Sequence, residues 1–440
     1  MPSCIAAVAE CIEILIARVD KHIKQRLFDI TLMLNNDKKP AVREMAATLL
    51  SRFISVEKTS FLPRINILFP ILVTFLNSNT FKQPGHSAIM SISKKSVVNR
   101  ESFSLDEKNI YIRKEKEKAT DHELIQIQNC ILKILEFFSD SILVHAEWNE
   151  SIDKLIFECQ NLLGYEHEWV RLNAVKIIRH IFSHIDYELV TNILTKKTKI
   201  NESDISFLYV TPENSIKNLT LDLCAQMVPG KTSELLAEEI TNIFLIFANI
   251  LKAVQLMSNA KNTTATYNES HTRCKLNLNW LLRRMRYIVQ AEISKAPHSF
   301  ILRKFVFNFY EGLITILDVN IIQELAVSIL SPLVREMVED DQNIHPELNQ
   351  QSCRIGSRLR KKIGSVVYDK LRAELQTKLL LKRTLRKKEI AIAKVLNPIK
   401  AVKRKKSVLK KKEISKKRKI DVIKGKVAGK KRKRKNDELF

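Results

Sequence analysis

Asp37-Lys38-Lys39-Pro40-Ala41-Val42-Arg43-Glu44-Met45-Ala46 and Glu168-Trp169-Val170-Arg171-Leu172-Asn173-Ala174 carry the same element: Val-Arg, an alanine three residues later, then an aliphatic pair. Each opens a stripe of apolar positions at i, i+3, i+4, i+7, i+8 and i+11. In the first copy these are Val42, Met45, Ala46, Leu49, Leu50 and Phe53. In the second they are Val170, Asn173, Ala174, Ile177, Ile178 and Ile181, with one polar member. The same template recurs at Ile127, Cys130, Ile131, Ile134, Leu135 and Phe138, and again at Ile322, Leu325, Ala326, Ile329, Leu330 and Leu333. Spacing of this kind lays a wide apolar band along one face of a helix. One such stripe describes any core helix; four of them, two with the Val-Arg-x-x-Ala element, predict a stack of similar helices.

An acidic or proline turn leading into Val-Arg-x-x-Ala resembles the second helix of a HEAT repeat. That resemblance implies close approach of neighbouring repeats at valine and alanine, with the arginine reaching an acidic group in an adjacent repeat. Val42 and Val170 stand 128 residues apart, about three periods of the roughly 40–47 residues such repeats occupy. Glycine supports an all-helical reading. The chain has 8 in 440 residues, far below the usual ~7%, and tight hairpin turns need residues that tolerate positive φ.

The expected class is therefore all-α: a HEAT/armadillo-like α-α superhelical solenoid with a long C-terminal helix and a disordered basic tail. Residues 1–76 and 121–348 read as helical repeats. Residues 77–120, with Gln83-Pro84-Gly85-His86 and the charged run Arg113 to Lys118, read as a polar insertion. Shorter polar loops are expected near 196–214 and 258–273. Residues 349–397 read as one long basic helix, stopping before Pro398 because proline disfavours helix in the residue that precedes it. Residues 398–440 read as a disordered Lys/Arg-rich tail. The opening stretch Ile5 to Ile16 reads as half of a repeat, so the chain is expected to begin inside a solenoid and to be a fragment of a longer protein.

Charge is distributed very unevenly. From Lys378 to Phe440 there are 27 lysines and arginines against five acids, a net +22 of the chain's +26. The body before it is nearly neutral, so the end of the chain is what meets an anionic partner. Its clusters are Lys382-Arg383, Arg386-Lys387-Lys388, Lys403-Arg404-Lys405-Lys406, Lys410-Lys411-Lys412, Lys416-Lys417-Arg418-Lys419 and Lys430-Lys431-Arg432-Lys433-Arg434-Lys435. These are the candidate RNA-binding or nuclear-localisation residues, and 403–406 and 430–435 fit the short basic signals that import receptors read. Between Tyr368 and Phe440 there is no aromatic residue, so the tail offers no platform for base stacking. Contact with the phosphate backbone, of little sequence preference, is expected instead.

Other chemistries find no support. The seven cysteines, Cys4, Cys11, Cys130, Cys159, Cys224, Cys274 and Cys353, are dispersed. Without a C-x-x-C pair they read as buried free thiols rather than zinc ligands. Gly230-Lys231-Thr232 mimics the end of a phosphate-binding P-loop, but Ala225 stands where the motif needs its first glycine and no apolar strand precedes it. No apolar run reaches membrane-spanning length. Histidines and carboxylates form no nucleophile–base arrangement. Neither enzyme activity, a cofactor, a metal, a small-molecule substrate nor a membrane is expected.

One further segment stands out. Leu278-Asn279-Trp280-Leu281-Leu282-Arg283-Arg284-Met285-Arg286-Tyr287-Ile288-Val289 is an amphipathic helix. Leu278, Leu281, Leu282, Met285 and Val289 share a face, while Arg283, Arg284 and Arg286 project off it as a candidate basic ridge. Pro332-Leu333-Val334-Arg335-Glu336-Met337 follows, then the long basic helix with Lys361-Lys362-Ile363-Gly364, then the lysine-rich end. In order and spacing these segments resemble the C-terminal region of a family of very large HEAT-repeat scaffolds. These are the U3 small nucleolar RNA-associated proteins, or down-regulated-in-metastasis family, of the small-subunit processome. The match is closest over Leu276 to Phe440, with generic HEAT patterning before it. The resemblance implies a non-catalytic scaffold in the nucleus and nucleolus that supports pre-rRNA processing and 40S subunit assembly. Its implied partners are pre-ribosomal RNA, the small nucleolar ribonucleoprotein, other processome proteins and import receptors. The alternative is a nuclear HEAT-repeat adaptor, on chromatin or in transport, whose tail is mainly a localisation signal.

Overall fold

The computed structural model describes residues 11, 13–76, 120–143, 149–184, 212–261, 277–337 and 345–396, with scattered positions between 402 and 416. Every regular element among them is helical. In chain order they are α1 (Lys21–Leu34), α2 (Pro40–Glu57), α3 (Leu62–Phe75), α4 (Asp121–Leu143), α5 (Asn149–Leu162), α6 (Glu168–Ser183) and α7 (Pro212–Gln226). There follow α8 (Glu234–Lys261), α9 (Leu278–Lys295), α10 (Ile301–Ile316), α11 (Val319–Met337), α12 (Pro346–Ile363) and α13 (Ser365–Leu396). The chain divides into two compact units, Met1–Tyr368 and Asp369–Phe440.

Within the first unit the helices form two rows. The even-numbered helices pack one upon the next in the order α2, α4, α6, α8, α10 and α12. The odd-numbered helices lie beside them: α1 on α2, α3 on α4 and α5, α5 on α6, and α9 on α8, α10 and α11. This is the stacked-pair architecture that the repeating stripes predict. The stripes are its core. Ile127, Ile131, Ile134 and Leu135 of α4, Val170, Ala174, Ile177 and Ile178 of α6, and Ile322, Leu325, Ala326, Ile329, Leu330 and Leu333 of α11 are fully buried. Each large aliphatic side chain so placed contributes about 1.5–3 kcal/mol by leaving water. Where α10 closes on α8 within the even row the chain uses glycine: a Cβ at Gly312 of α10 would stand 2.6 Å from Leu245 Cδ2 of α8.

Three expectations need correction. The basic helix expected as one piece over 349–397 is two, α12 and α13. Gly364 between them adopts φ +90°, and its amide donates to the Arg360 carbonyl at 3.0 Å, closing α12. A left-handed residue ends a helix and turns the chain, and only glycine enters that region without steric cost. The polar loops are also shorter than their composition suggests, because α7 starts at Pro212 and α8 runs on to Lys261. Finally, not every described cysteine is buried. Cys11 and Cys353 are exposed, while Cys130 and Cys159 lie inside. Residues 77–119 of the 77–120 insertion, most of the 398–440 tail and most of Ile5 to Ile16 lie outside the described residues.

The buried thiols carry a pH dependence. Burial pushes the Cys130 thiol from an ordinary 9.0 up to about 12, opposed by Lys133 beside it, and desolvation pushes the half-buried Cys224 thiol up to about 12 as well, opposed by Arg284. The unfolded chain would release these protons from about pH 9, the folded chain only near pH 12. Their stabilising effect is therefore present below pH 9 and lost as pH rises toward 12. Thermal unfolding should show the midpoint falling across that window, and Cys130→Ala should flatten the fall. An unchanged slope in that variant would contradict the assignment.

Candidate nucleic-acid interface

Two kinds of charge occur on this scaffold: charges that the fold answers internally and charges that it leaves facing outward. Arginines near the start of even-row helices are answered. Arg43 of α2 is fully buried and donates from Nε and NH2 to both carboxylate oxygens of Glu123 in the first turn of α4, at 2.8 and 3.0 Å. Its NH1 donates to the Asp37 and Lys38 carbonyls at 2.9 and 2.7 Å. Arg171 of α6 makes the same two turn contacts, to the Tyr165 and Glu166 carbonyls at 2.8 and 2.6 Å. No carboxylate meets its Nε among the described residues.

A third arginine of this kind, Arg303 of α10, escaped the sequence reading. It sits between Glu292 of α9, Nε to Oε2 at 3.3 Å, and Glu336 of α11, NH1 to both oxygens at 3.2 Å. Glu292 also accepts from the Leu302 and Arg303 amides at 3.1 and 2.9 Å, so α9 supplies the N-terminal cap of α10. The available signal was Leu302-Arg303-x-x-Val306, which fills the slot of Val42-Arg43-x-x-Ala46.

The candidate ridge on α9 differs. Asn277 caps the helix, its Oδ1 accepting from the Trp280 amide at 2.8 Å. Leu278, Leu281, Leu282, Met285 and Val289 are buried, so Arg283, Arg284 and Arg286 are exposed, as the spacing requires. Glu292, the only acid on this helix, is turned inward onto α10. None of the three arginines forms an ion pair among the described residues. The contrast with α12 is direct: there Arg354 and Arg358 both close on Glu311 of α10, at 2.8 and 2.6 Å.

Two aromatic residues that the sequence reading passed over share the ridge. The Arg284 guanidinium lies over the Trp280 ring, 5.2 Å from its centroid, and Tyr287 is 71% exposed. Arg286 stands close enough to the buried Tyr310 phenol to hold its pKa down slightly against the larger upward push of burial.

Of the terminal clusters, Lys382, Arg383, Arg386, Lys387 and Lys388 fall on α13. All but Arg383 are exposed. Lys406, Lys410 and Lys416 are exposed as well, and the rest of the clusters lie outside the described residues. α13 also exposes Leu381, Leu385, Ile392 and Leu396. Among the described residues no group of three or more His, Cys, Asp and Glu side chains could hold a metal ion, and no helix is long and apolar enough to cross a membrane.

A two-row helical stack with outward cations and a polybasic end defines an all-α repeat-like protein with exposed cationic residues. Residues 87–422 match the family described as small subunit processome component 20 homolog, C-terminal. The chain belongs to that family. It is thus a component of the small-subunit processome and of ribosome biogenesis, with RNA and other processome proteins as partners, and that family is not a known class of enzyme.

Proposed function

We propose that this chain is a non-catalytic brace of the processome in the nucleolus, supporting pre-rRNA processing and 40S assembly, and that its basic C-terminal arm contacts pre-ribosomal RNA. The observation that carries the reading is the charge distribution: +22 concentrated in 378–440 behind a nearly neutral helical stack. A folded body of this kind offers surfaces to proteins, and a cationic end offers phosphate contacts that release condensed counterions. The small nucleolar ribonucleoprotein is the expected RNA-bearing neighbour. The clusters at 403–406 and 430–435 also fit import receptors, which would meet the free chain before assembly.

The test is the affinity of the full chain for structured RNA across a salt series, beside a chain whose 416–419 and 430–435 cations are replaced by glutamine. Affinity should fall steeply with salt, with a log–log slope of about −0.7 per neutralised single-strand phosphate, and the substituted chain should show a shallower slope. RNA binding indifferent to ionic strength would sink the arm reading. Purification from nuclear extract should enrich small-subunit precursor RNA with its small nucleolar RNA. Genomic DNA with histones instead would favour the chromatin adaptor.

A further inference from the structure

We propose that the outer face of α9 is a second RNA site, one that takes unpaired nucleotides by stacking bases on Tyr287 and on the Arg284–Trp280 pair. This deepens the arm reading and rests on it for the class of partner. Trp280, Arg284 and Tyr287 stand at i, i+4 and i+7, so they line one face of the helix, with Arg283 beside them. Seven residues at 1.5 Å each place the two rings roughly 10 Å apart along the axis.

Three properties make this face fit single-stranded RNA. Its charge is one-signed: Arg283, Arg284, Arg286 and Lys295 are exposed, while the helix's one acid, Glu292, is buried on α10. Its largest exposed side chain is a flat ring, Tyr287 at 71% exposure, where most large apolar side chains of this helix are buried. And Arg284 is held over Trp280 at 5.2 Å, which orders a guanidinium on the surface before any ligand arrives. Bases free of a duplex stack on aromatic rings and on guanidinium planes, and nearby arginines then meet the phosphates between them. A duplex keeps its base faces covered and gains only the charge. The terminal arm has no aromatic residue before its last, Phe440, so the two sites divide the work: the arm holds backbone, the α9 face selects unpaired strand.

The experiment uses the full chain, a 12-nucleotide RNA without secondary structure, and the same strand annealed to its complement. Tyr287→Ala should weaken binding of the unpaired strand roughly 5- to 50-fold and leave the duplex unchanged. Tyr287→Trp should bind the unpaired strand as the parent does. Arg283→Gln should reduce the salt slope by about 0.7. Ultraviolet crosslinks should map to Tyr287 or Trp280. Unchanged affinity for the unpaired strand in Tyr287→Ala would overturn the proposal, as would equal losses on both RNAs. Loss of a co-purifying protein with RNA binding intact would assign the face to a protein partner and overturn it too. If the glutamine-substituted arm binds RNA as the parent does, the arm reading fails while the α9 site stands or falls on Tyr287 alone.

Discussion

Glu292→Leu should destabilise the folded chain by about 3–5 kcal/mol, the range for removing one partner from a buried, hydrogen-bonded charge cluster. Two losses combine. Arg303, which is 4% exposed, keeps Glu336 but loses the carboxylate at its Nε. The Leu302 and Arg303 amides at the start of α10 lose their acceptor, in a place water does not reach. Missing caps alone cost about 1 kcal/mol, up to 2. Urea denaturation should show the midpoint lowered with the slope little changed, since the surface exposed on unfolding is the same. Because Glu292 joins α9 to α10 while Arg303 joins both to α11, the double variant Glu292→Leu/Arg303→Met should be less damaged than the sum of its parts. A loss under 1 kcal/mol for Glu292→Leu would mean that water replaces the carboxylate.

Arg43→Met is the second large effect, again about 3–5 kcal/mol. Glu123 is fully buried, and the substitution takes away the guanidinium that meets both of its carboxylate oxygens between α2 and α4. Adding Glu123→Leu should recover most of the loss, because a buried pair replaced by apolar residues of similar volume is often neutral. Arg171→Met provides the internal comparison. It sits in the same position of α6 but meets only two turn carbonyls among the described residues, so it should cost about 1 kcal/mol. Measured by chemical denaturation, the order Arg43 above Arg171 is the decisive outcome. Equal losses would mean that the carbonyl contacts, and not the ion pair, carry the stability.

These two clusters mark where sequence reading stopped. The helical class and the identity of the core faces were legible because the 3.6-residue period writes the buried face directly into the order of apolar residues. Ile131, Ile177 and Leu330 could be placed in the core one by one. The charge of the arm was legible for a simpler reason: net charge adds along a chain whatever its fold. Spacing alone also put Arg283, Arg284 and Arg286 outside, since the five apolar residues around them claim the other side.

Partners were not legible. Arg43 and Glu123 are 80 residues apart in sequence, and Glu336 is 33 from Arg303; no local pattern couples such distances. Whether an arginine is answered or left outward depends on which helix stacks against it. The break at Gly364 was missed because the polar and apolar pattern continues across it, and only the backbone angle reveals the turn. Nothing in the sequence singled out Tyr287; the burial of its neighbours showed it standing clear.

By itself, then, the order of residues determined that this chain is helical, which faces of its helices are apolar, and where its positive charge accumulates. All three follow from short-range periodicity or from simple addition. The tertiary structure alone decided which helices become neighbours, and with them which charges are cancelled and which are left to meet a partner. The reason is physical: an ion pair or an exposed ring is defined by what lies within a few ångströms, and in a stack of helices that neighbour comes from a distant part of the chain.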